Sequence, residues 1–265
     1  MRKWELPSIV VSKKGARKIC EILIRVRKFS DIINIINLLE KSNVKIVSMN
    51  ASYKENEHIN VHIFTDISEL KVPLTKFIKN IGKVTFNSVS YKVLHADSHF
   101  VSSELLFPIY TLSDERVLII LEKDFSRMLK NIYEVLGDVG RSIIYHLAFA
   151  GGKSLASGLK KKLYLPKKKL ILEAFKLYQA IGWAKIKVEK LDIITPNIVF
   201  KAYDSIECKA FKGSNKATSH FIRGHIEGLL SEILGYEVSV EEVECIAKGD
   251  PFCRFHVKRL RGSEI

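Results

Sequence analysis

The stretch from Ser214 to Val257, SNKATSHFIRGHIEGLLSEILGYEVSVEEVECIAKGDPFCRFHV, decides how this chain is read. Ser214-Asn215 offers helix-capping side chains. Ile222, Ile226, Leu229, Leu230 and Ile233 then recur at helical spacing. Gly235 stands where a helix stop belongs. Gly224 and Gly228 lie one turn apart, so one strip of the predicted helix lacks side chains. Each glycine costs a helix interior about 1 kcal/mol relative to alanine. A close neighbour, either another backbone or a ligand, would offset that cost. After the helix, Tyr236 to Ala247 reads as a strand, Lys248-Gly249-Asp250-Pro251 as a turn, and Phe252 to Lys258 as a second strand.

The predicted hairpin carries Glu242, Cys245 and Cys253. The two cysteines flank the turn symmetrically about Gly249, and a loop with an odd number of residues would set them opposite each other on one face. Two thiols and a carboxylate this close suit a soft divalent metal, typically zinc. The same pattern also suits two small buried residues, since free cysteine is commonly buried.

Gly224-x3-Gly228-x6-Gly235, then Glu242-x2-Cys245, then Gly249-Asp250-x2-Cys253-x-Phe255 resembles the end of a 4-vinyl reductase domain. That family is similar to the sensor domains of aromatic-responsive bacterial activators and, more remotely, to TRAPP vesicle-tethering subunits. The resemblance implies an α/β fold around a mainly apolar pocket, and a homodimer. It also implies a zinc site of Cys, Glu, Cys and Cys, the last three matching Glu242, Cys245 and Cys253. The family's first cysteine falls at Ser219, so the fourth ligand would be the adjacent His220, Cys208 one predicted strand earlier, or water. Trp183, Tyr203 and Phe211 can line the implied pocket or serve as ordinary core aromatics. Gly224 and Gly228 are the positions at which a ligand could come close.

With 265 residues, 47% of them hydrophobic, the chain has room for two domains of ordinary size. Four cysteines in this length do not make a disulfide scaffold. Met1-Arg2-Lys3-Trp4-Glu5 is not followed by an apolar core, and no run has the length of a membrane span, so a cytosolic protein is expected. The net charge of +14 is mostly lysine. It fits weak nucleic-acid contact, an anionic ligand, or the lysine-rich composition common in heat-loving organisms. Lys160-Lys161-Lys162 and Lys167-Lys168-Lys169 read as a solvated linker and helix start, or as an anion site.

Residues 1–98 give the order β-α-β-β-α-β, the ferredoxin-like arrangement. Strands are predicted at Ile19 to Arg25, Val44 to Ser52, Ile59 to Thr65 and Val84 to Leu94, with helices after Ser30-Asp31 and over Asp66 to Ile81. This order resembles an ACT regulatory domain. Many ACT domains carry a glycine between the first strand and helix, where the backbone meets an effector. Val26-Arg27-Lys28-Phe29 has none, which favours a pairing module over an amino-acid sensor.

Residues 99–265 form the second predicted domain. A helix begins near Asp124, is interrupted at Gly137 and Gly140, and is expected to break at Gly151-Gly152. Lys169 to Ile181 is helical, and Ala184 to Val188 and Ile198 to Lys209 are strands. The fold class is therefore α/β (α+β), a ferredoxin-like ACT-like domain followed by a 4-vinyl reductase-type domain. No phosphate loop, nucleophile-base pattern or nucleotide fingerprint supports an enzyme. The expected function is a non-enzymatic sensor or regulator that binds a small apolar or amphipathic ligand. A tethering-like adaptor, a weak nucleic-acid-binding regulator and a tetrapyrrole reductase-like enzyme are the alternatives.

Overall fold

The computed structural model describes residues 9–11, 18–53, 58–85, 89–95, 100–110, 115–195 and 197–260. The predicted turns at 54–57 and at Pro196, and the lead-in before residue 9, lie outside them. The chain divides into two compact units, Met1–Leu118 and Ile119–Ile265.

The first unit runs β1 (Ile9–Val11), β2 (Lys18–Val26), α1 (Phe29–Lys41), β3 (Lys45–Tyr53), β4 (Ile59–Asp66), α2 (Leu74–Val84), β5 (Val89–His95) and β6 (Phe100–Ser102). β1 pairs with β6, and the other four strands form an antiparallel sheet in the order β3-β4-β2-β5. Strand alternation explains its two faces. Cys20, Ile22, Ile24 and Val26 of β2 bury against Ile32, Ile35 and Leu39 of α1 and Phe77 and Ile81 of α2. Glu21, Leu23 and Arg25 fall on the other face. The chain from 103 to 105 belongs to this unit because it satisfies Glu21: the Ser103 hydroxyl and the N–H groups of Glu104 (2.8 Å) and Leu105 (3.2 Å) all donate to its carboxylate.

The second unit continues with α3 (Glu122–Leu163), α4 (Lys167–Ala180), β7 (Lys185–Asp192), β8 (Asn197–Tyr203), α5 (Ile206–Ala210), α6 (His220–Leu234), β9 (Val238–Glu244) and β10 (Cys253–Arg259). Its antiparallel sheet has the order β7-β8-β10-β9. α6 is the centre of this unit. Ile222, Ile226, Leu229, Leu230 and Ile233 enter one core with Phe200 and Phe255 of the sheet and Ile171, Phe175 and Tyr178 of α4. Phe200 and Phe255 stack with ring centroids 5.0 Å apart.

The opposite side of α6 meets α3 backbone to backbone. A Cβ at Gly224 would lie 2.4 Å from the Tyr145 carbonyl oxygen, one at Gly228 2.0 Å from that of Phe149, and one at Gly152 1.9 Å from that of His225. The neighbour that the two α6 glycines require is thus another helix. For the same reason Gly151-Gly152 does not break α3, contrary to expectation. The break falls at Gly137, whose φ of 55° and ψ of −131° suit glycine alone.

Two more elements differ from the sequence reading. The strand expected through Lys209 ends at Tyr203, and α5 follows. Asp204 takes a positive φ of 56°, and Ser205 caps α5 by accepting from the Cys208 N–H at 3.5 Å. α6 starts at His220 rather than beside Ser214-Asn215. Its first free N–H groups, on Phe221 and Ile222, are satisfied by the buried carboxylate of Glu207 at 2.9 and 3.0 Å. At its other end Lys160 and Lys167 donate to the carbonyls of Glu232 (3.1 Å) and Leu234 (2.6 Å), which gives each basic run a member with a packing role.

Candidate metal centre

Four donors converge where α5, β9 and β10 meet below the start of α6. Cys208, Glu242, Cys245 and Cys253 place one ligand atom each within 4.8 Å of all the others. α5 supplies Cys208, β9 supplies Glu242, the residue after β9 is Cys245, and Cys253 opens β10. A 3₁₀ turn at Ile246–Lys248 and a left-handed Gly249 (φ 103°) bring the last two cysteines together. Asp250 fixes this turn by accepting from the Cys245 N–H at 2.7 Å. All three cysteines are buried and free of disulfides.

The spacing fits a metal better than a bond between sulfurs. Cys208 and Cys245 Sγ lie 3.6 Å apart. A disulfide needs about 2.0 Å. Sulfurs on a tetrahedral zinc, each about 2.3 Å from the ion, stand about 3.8 Å apart. Three soft thiolates and one carboxylate are a donor set for zinc or a similar ion, and they can hold a metal.

Ser219 sits among the donors without being one. Its hydroxyl lies 2.8 Å from Cys208 Sγ and donates to Glu242 Oε1 at 2.6 Å, while its N–H donates to Glu242 Oε2 at 3.1 Å. The serine thus orients the carboxylate, as metal-binding carboxylates commonly require. Without an ion the thiols share their protons. S–H donation from Cys208 and from Cys253 holds the Cys245 thiolate low, and those two thiols are raised in return. Burial pushes Glu242 up to about 8, against the Ser219 hydrogen bond. A bound cation reverses that balance by favouring the charged form of every donor. An opening of about 440 Å³ lined by Ser219, His220, Arg223 and Glu242 leads in from solvent.

His220, named from the sequence as a possible fourth ligand, is outside the cluster. Its ring packs edge-on against Tyr133 at 5.6 Å, and burial lowers its pKa to about 4. Cys208 takes that place because it lies on a helix and not on a strand.

The remaining predicted site residues do not meet at one point. Tyr203 packs on Phe252 and Phe211 stacks on Tyr133. Gly224 and Gly228 face α3. Trp183 alone enters an aromatic box, in which His225 lies between Trp183 (5.0 Å), Tyr178 (5.5 Å) and Phe221 (6.3 Å). The Tyr178 hydroxyl lies 2.7 Å from His225 Nδ1. Burial lowers the His225 pKa to about 4, so the ring is neutral near pH 7. Sequence reasoning missed this pair, and it missed Glu207. Only Ser205-x2-Cys208, a capping pattern, signalled a helix that could carry Glu207 and Cys208 inward.

Residues 198–259 match the model of the 4-vinyl reductase domain. They hold α5, α6, both strands of the cysteine hairpin and all four donors. An uncharacterized protein of Methanocaldococcus jannaschii, MJ1460, is 26% identical over 99 residues, which are 37% of this chain and 60% of that protein. The match thus spans less than two thirds of that relative. Among solved structures, the phenol-responsive sensory domain of the transcription activator PoxR with phenol shares the fold, with a TM-score of 0.53 at 18% identity over 57% of this chain and 81% of that one. A vinyl-4-reductase family protein from Methanocaldococcus jannaschii gives a TM-score of 0.42 at 22% identity over 54% and 84%. No described helix is long and apolar enough to cross a membrane.

Proposed function

We propose that the protein is a non-enzymatic, ligand-responsive regulator. In this reading the unit bearing the 4-vinyl reductase region takes a small apolar or amphipathic molecule into the aromatic box, and zinc clamps the elements around it. The observation that carries the reading is the buried His225–Tyr178 pair. A neutral imidazole and a phenol hydroxyl, 2.7 Å apart and walled by Trp183 and Phe221, form one polar point in an apolar enclosure. That chemistry suits a ligand with a flat apolar body and one hydroxyl, which can replace the Tyr178 hydroxyl on His225. The box is closed by α6, so a ligand that enters it favours a different packing of α6 against α3 and shifts the population of the two states. The phenol-bound sensory domain of PoxR is a precedent of the same fold.

Zinc is the proposed ion because thiolates suit it and the reading requires no redox step. With three cysteines and Glu242 the coordination is filled by protein, which is the pattern of a structural site. The clamp ties α5 and both hairpin strands to Ser219, the residue from which α6 starts. The regulator is further proposed to pair through α3, where Val135, Val139 and Leu147 are 70%, 64% and 66% exposed at helical spacing.

Two measurements on the full chain test this reading. Titration with phenol and 2-naphthol, followed by tryptophan fluorescence and calorimetry, should show saturable 1:1 binding that Trp183→Leu weakens. No saturable response to either compound sinks the ligand site. Elemental analysis should find one zinc per chain, lost in Cys208→Ser, Cys245→Ser and Cys253→Ser and kept in His220→Ala. Protein purified without chelators that carries no zinc sinks the clamp.

A further inference from the structure

The first unit holds a cavity of about 1200 Å³ on the sheet face turned away from its helices. Its floor follows from strand register. Arg25 of β2 pairs with Asn60 of β4, and Asn60 with Ser52 of β3. Asn50 and Leu23 stand on either side of His62 in the next row. The cover is apolar and comes from the chain after β6: Leu105, Leu106, Pro108 and Ile109, with Tyr110 at the end. Floor and cover are joined by Glu21. This wholly buried carboxylate accepts from His62 Nε2 at 2.8 Å on the floor and from the Ser103 hydroxyl and the Glu104 N–H at the root of the cover.

Charge tells which ligand fits. Fifteen residues line the cavity and none is acidic. Arg25 reaches it as an exposed guanidinium that makes no ion pair among the described residues. Burial works to raise the Glu21 pKa, but the bonds from His62, Ser103 and Glu104 outweigh it and hold the group below the usual carboxylate range. An ionised carboxylate only accepts, so His62 Nε2 carries a proton and the ring is locked in orientation. Asn50, Ser52 and Asn60 add neutral hydrogen-bonding groups, and the cover adds flat apolar surface. Most binding cavities combine an apolar wall with a few convergent polar groups.

We propose that the first unit binds a small amphipathic anion, with its carboxylate or sulfonate on Arg25 and Asn60 and its apolar body beneath Ile109 and Tyr110. This site is independent of the aromatic box and of the metal centre, which belong to the other unit. It gives the chain a second input, and the cover that Glu21 holds is the segment a ligand would order or displace.

The test uses two probes of one shape on the full chain: 1-anilinonaphthalene-8-sulfonate and its uncharged analogue N-phenyl-1-naphthylamine. The sulfonate should bind with fluorescence enhancement and 1:1 stoichiometry. Arg25→Gln, a surface change, should weaken it about tenfold while moving the neutral probe less than about twofold, because a charge-assisted contact is lost and the apolar wall is kept. Ile109→Ser should weaken both probes. Unchanged thermal melts of both variants establish that they fold. If Arg25→Gln leaves sulfonate binding unchanged, or weakens both probes equally, the anion site is refuted. If Ile109→Ser changes neither, the cover is refuted. Trp183→Leu should leave the sulfonate affinity unchanged, which separates this site from the box in the second unit.

Discussion

Adjacent glycines on α3 make the sharpest prediction about packing. Gly151→Ala and Gly152→Ala are the same chemical change in the same helix, and each gains about 1 kcal/mol of helix propensity. Their surroundings differ. A Cβ at Gly151 meets the flexible edge of the His225 ring at 3.4 Å, an ordinary contact. A Cβ at Gly152 would sit 1.9 Å from the His225 carbonyl oxygen and 2.8 Å from the Leu229 N–H nitrogen. Both are backbone atoms of a buried helix and cannot rotate away. Contacts below 3.0 Å are not tolerated, so α3 and α6 would have to part by roughly 1 Å along a seam that also includes Gly224 and Gly228. Overpacking of this kind costs about 1–3 kcal/mol or more, beyond the propensity gained. Gly152→Ala should therefore lose about 2 kcal/mol or more, which lowers the melting temperature by about 5 °C, while Gly151→Ala should be neutral or stabilising. Calorimetric melts and urea midpoints of the two variants check this. A stability change of the same sign and size in both would refute the backbone-contact account of the seam.

Further expectations follow from the buried acids and the exposed stripe. Burial pushes Glu207 up to about 7 despite hydrogen bonds from Phe221, Ile222 and Tyr133. The folded state then holds a proton that the unfolded chain has released, so this group makes stability fall as pH rises from about 4.5 to about 7. His220 and His225, lowered to about 4, act in the opposite direction, so the informative quantity is the difference between wild type and Glu207→Gln. Denaturant midpoints should show wild type losing ground to the variant across that window, and a difference independent of pH would refute the assignment. Glu21, held below its usual range, contributes stability above the unfolded carboxylate value and loses it as pH falls through its folded value. Glu21→Gln should therefore show its deficit near neutral pH and lose most of it in acid, as read from thermal melts. Val139→Glu with Leu147→Glu should convert a dimer to a monomer by light scattering at micromolar concentration, and a monomeric wild type would rule out pairing through α3.

The sequence alone determined what depends on local periodicity. The β-α-β-β-α-β order, the apolar face of α6 and its stop at Gly235 follow from spacing and from backbone preferences. So does the grouping of Glu242, Cys245 and Cys253, because a short turn keeps its ends together whatever surrounds it. Tertiary structure decided the rest. Cys208 joins the metal centre from 34 residues before Glu242, through a five-residue helix in a stretch that alternates like a strand. Gly152 stays helical because another backbone lies where its side chain would be. Glu207 caps a helix that begins after an intervening loop, and Glu21 reaches Ser103 across 82 residues. A buried carboxylate or thiol is stabilised by whichever donors the fold brings to it, and sequence separation carries no record of that encounter. The aromatic box and the anion cavity are of the same kind. Each is built from residues that are ordinary one by one, and only their convergence gives them a chemistry.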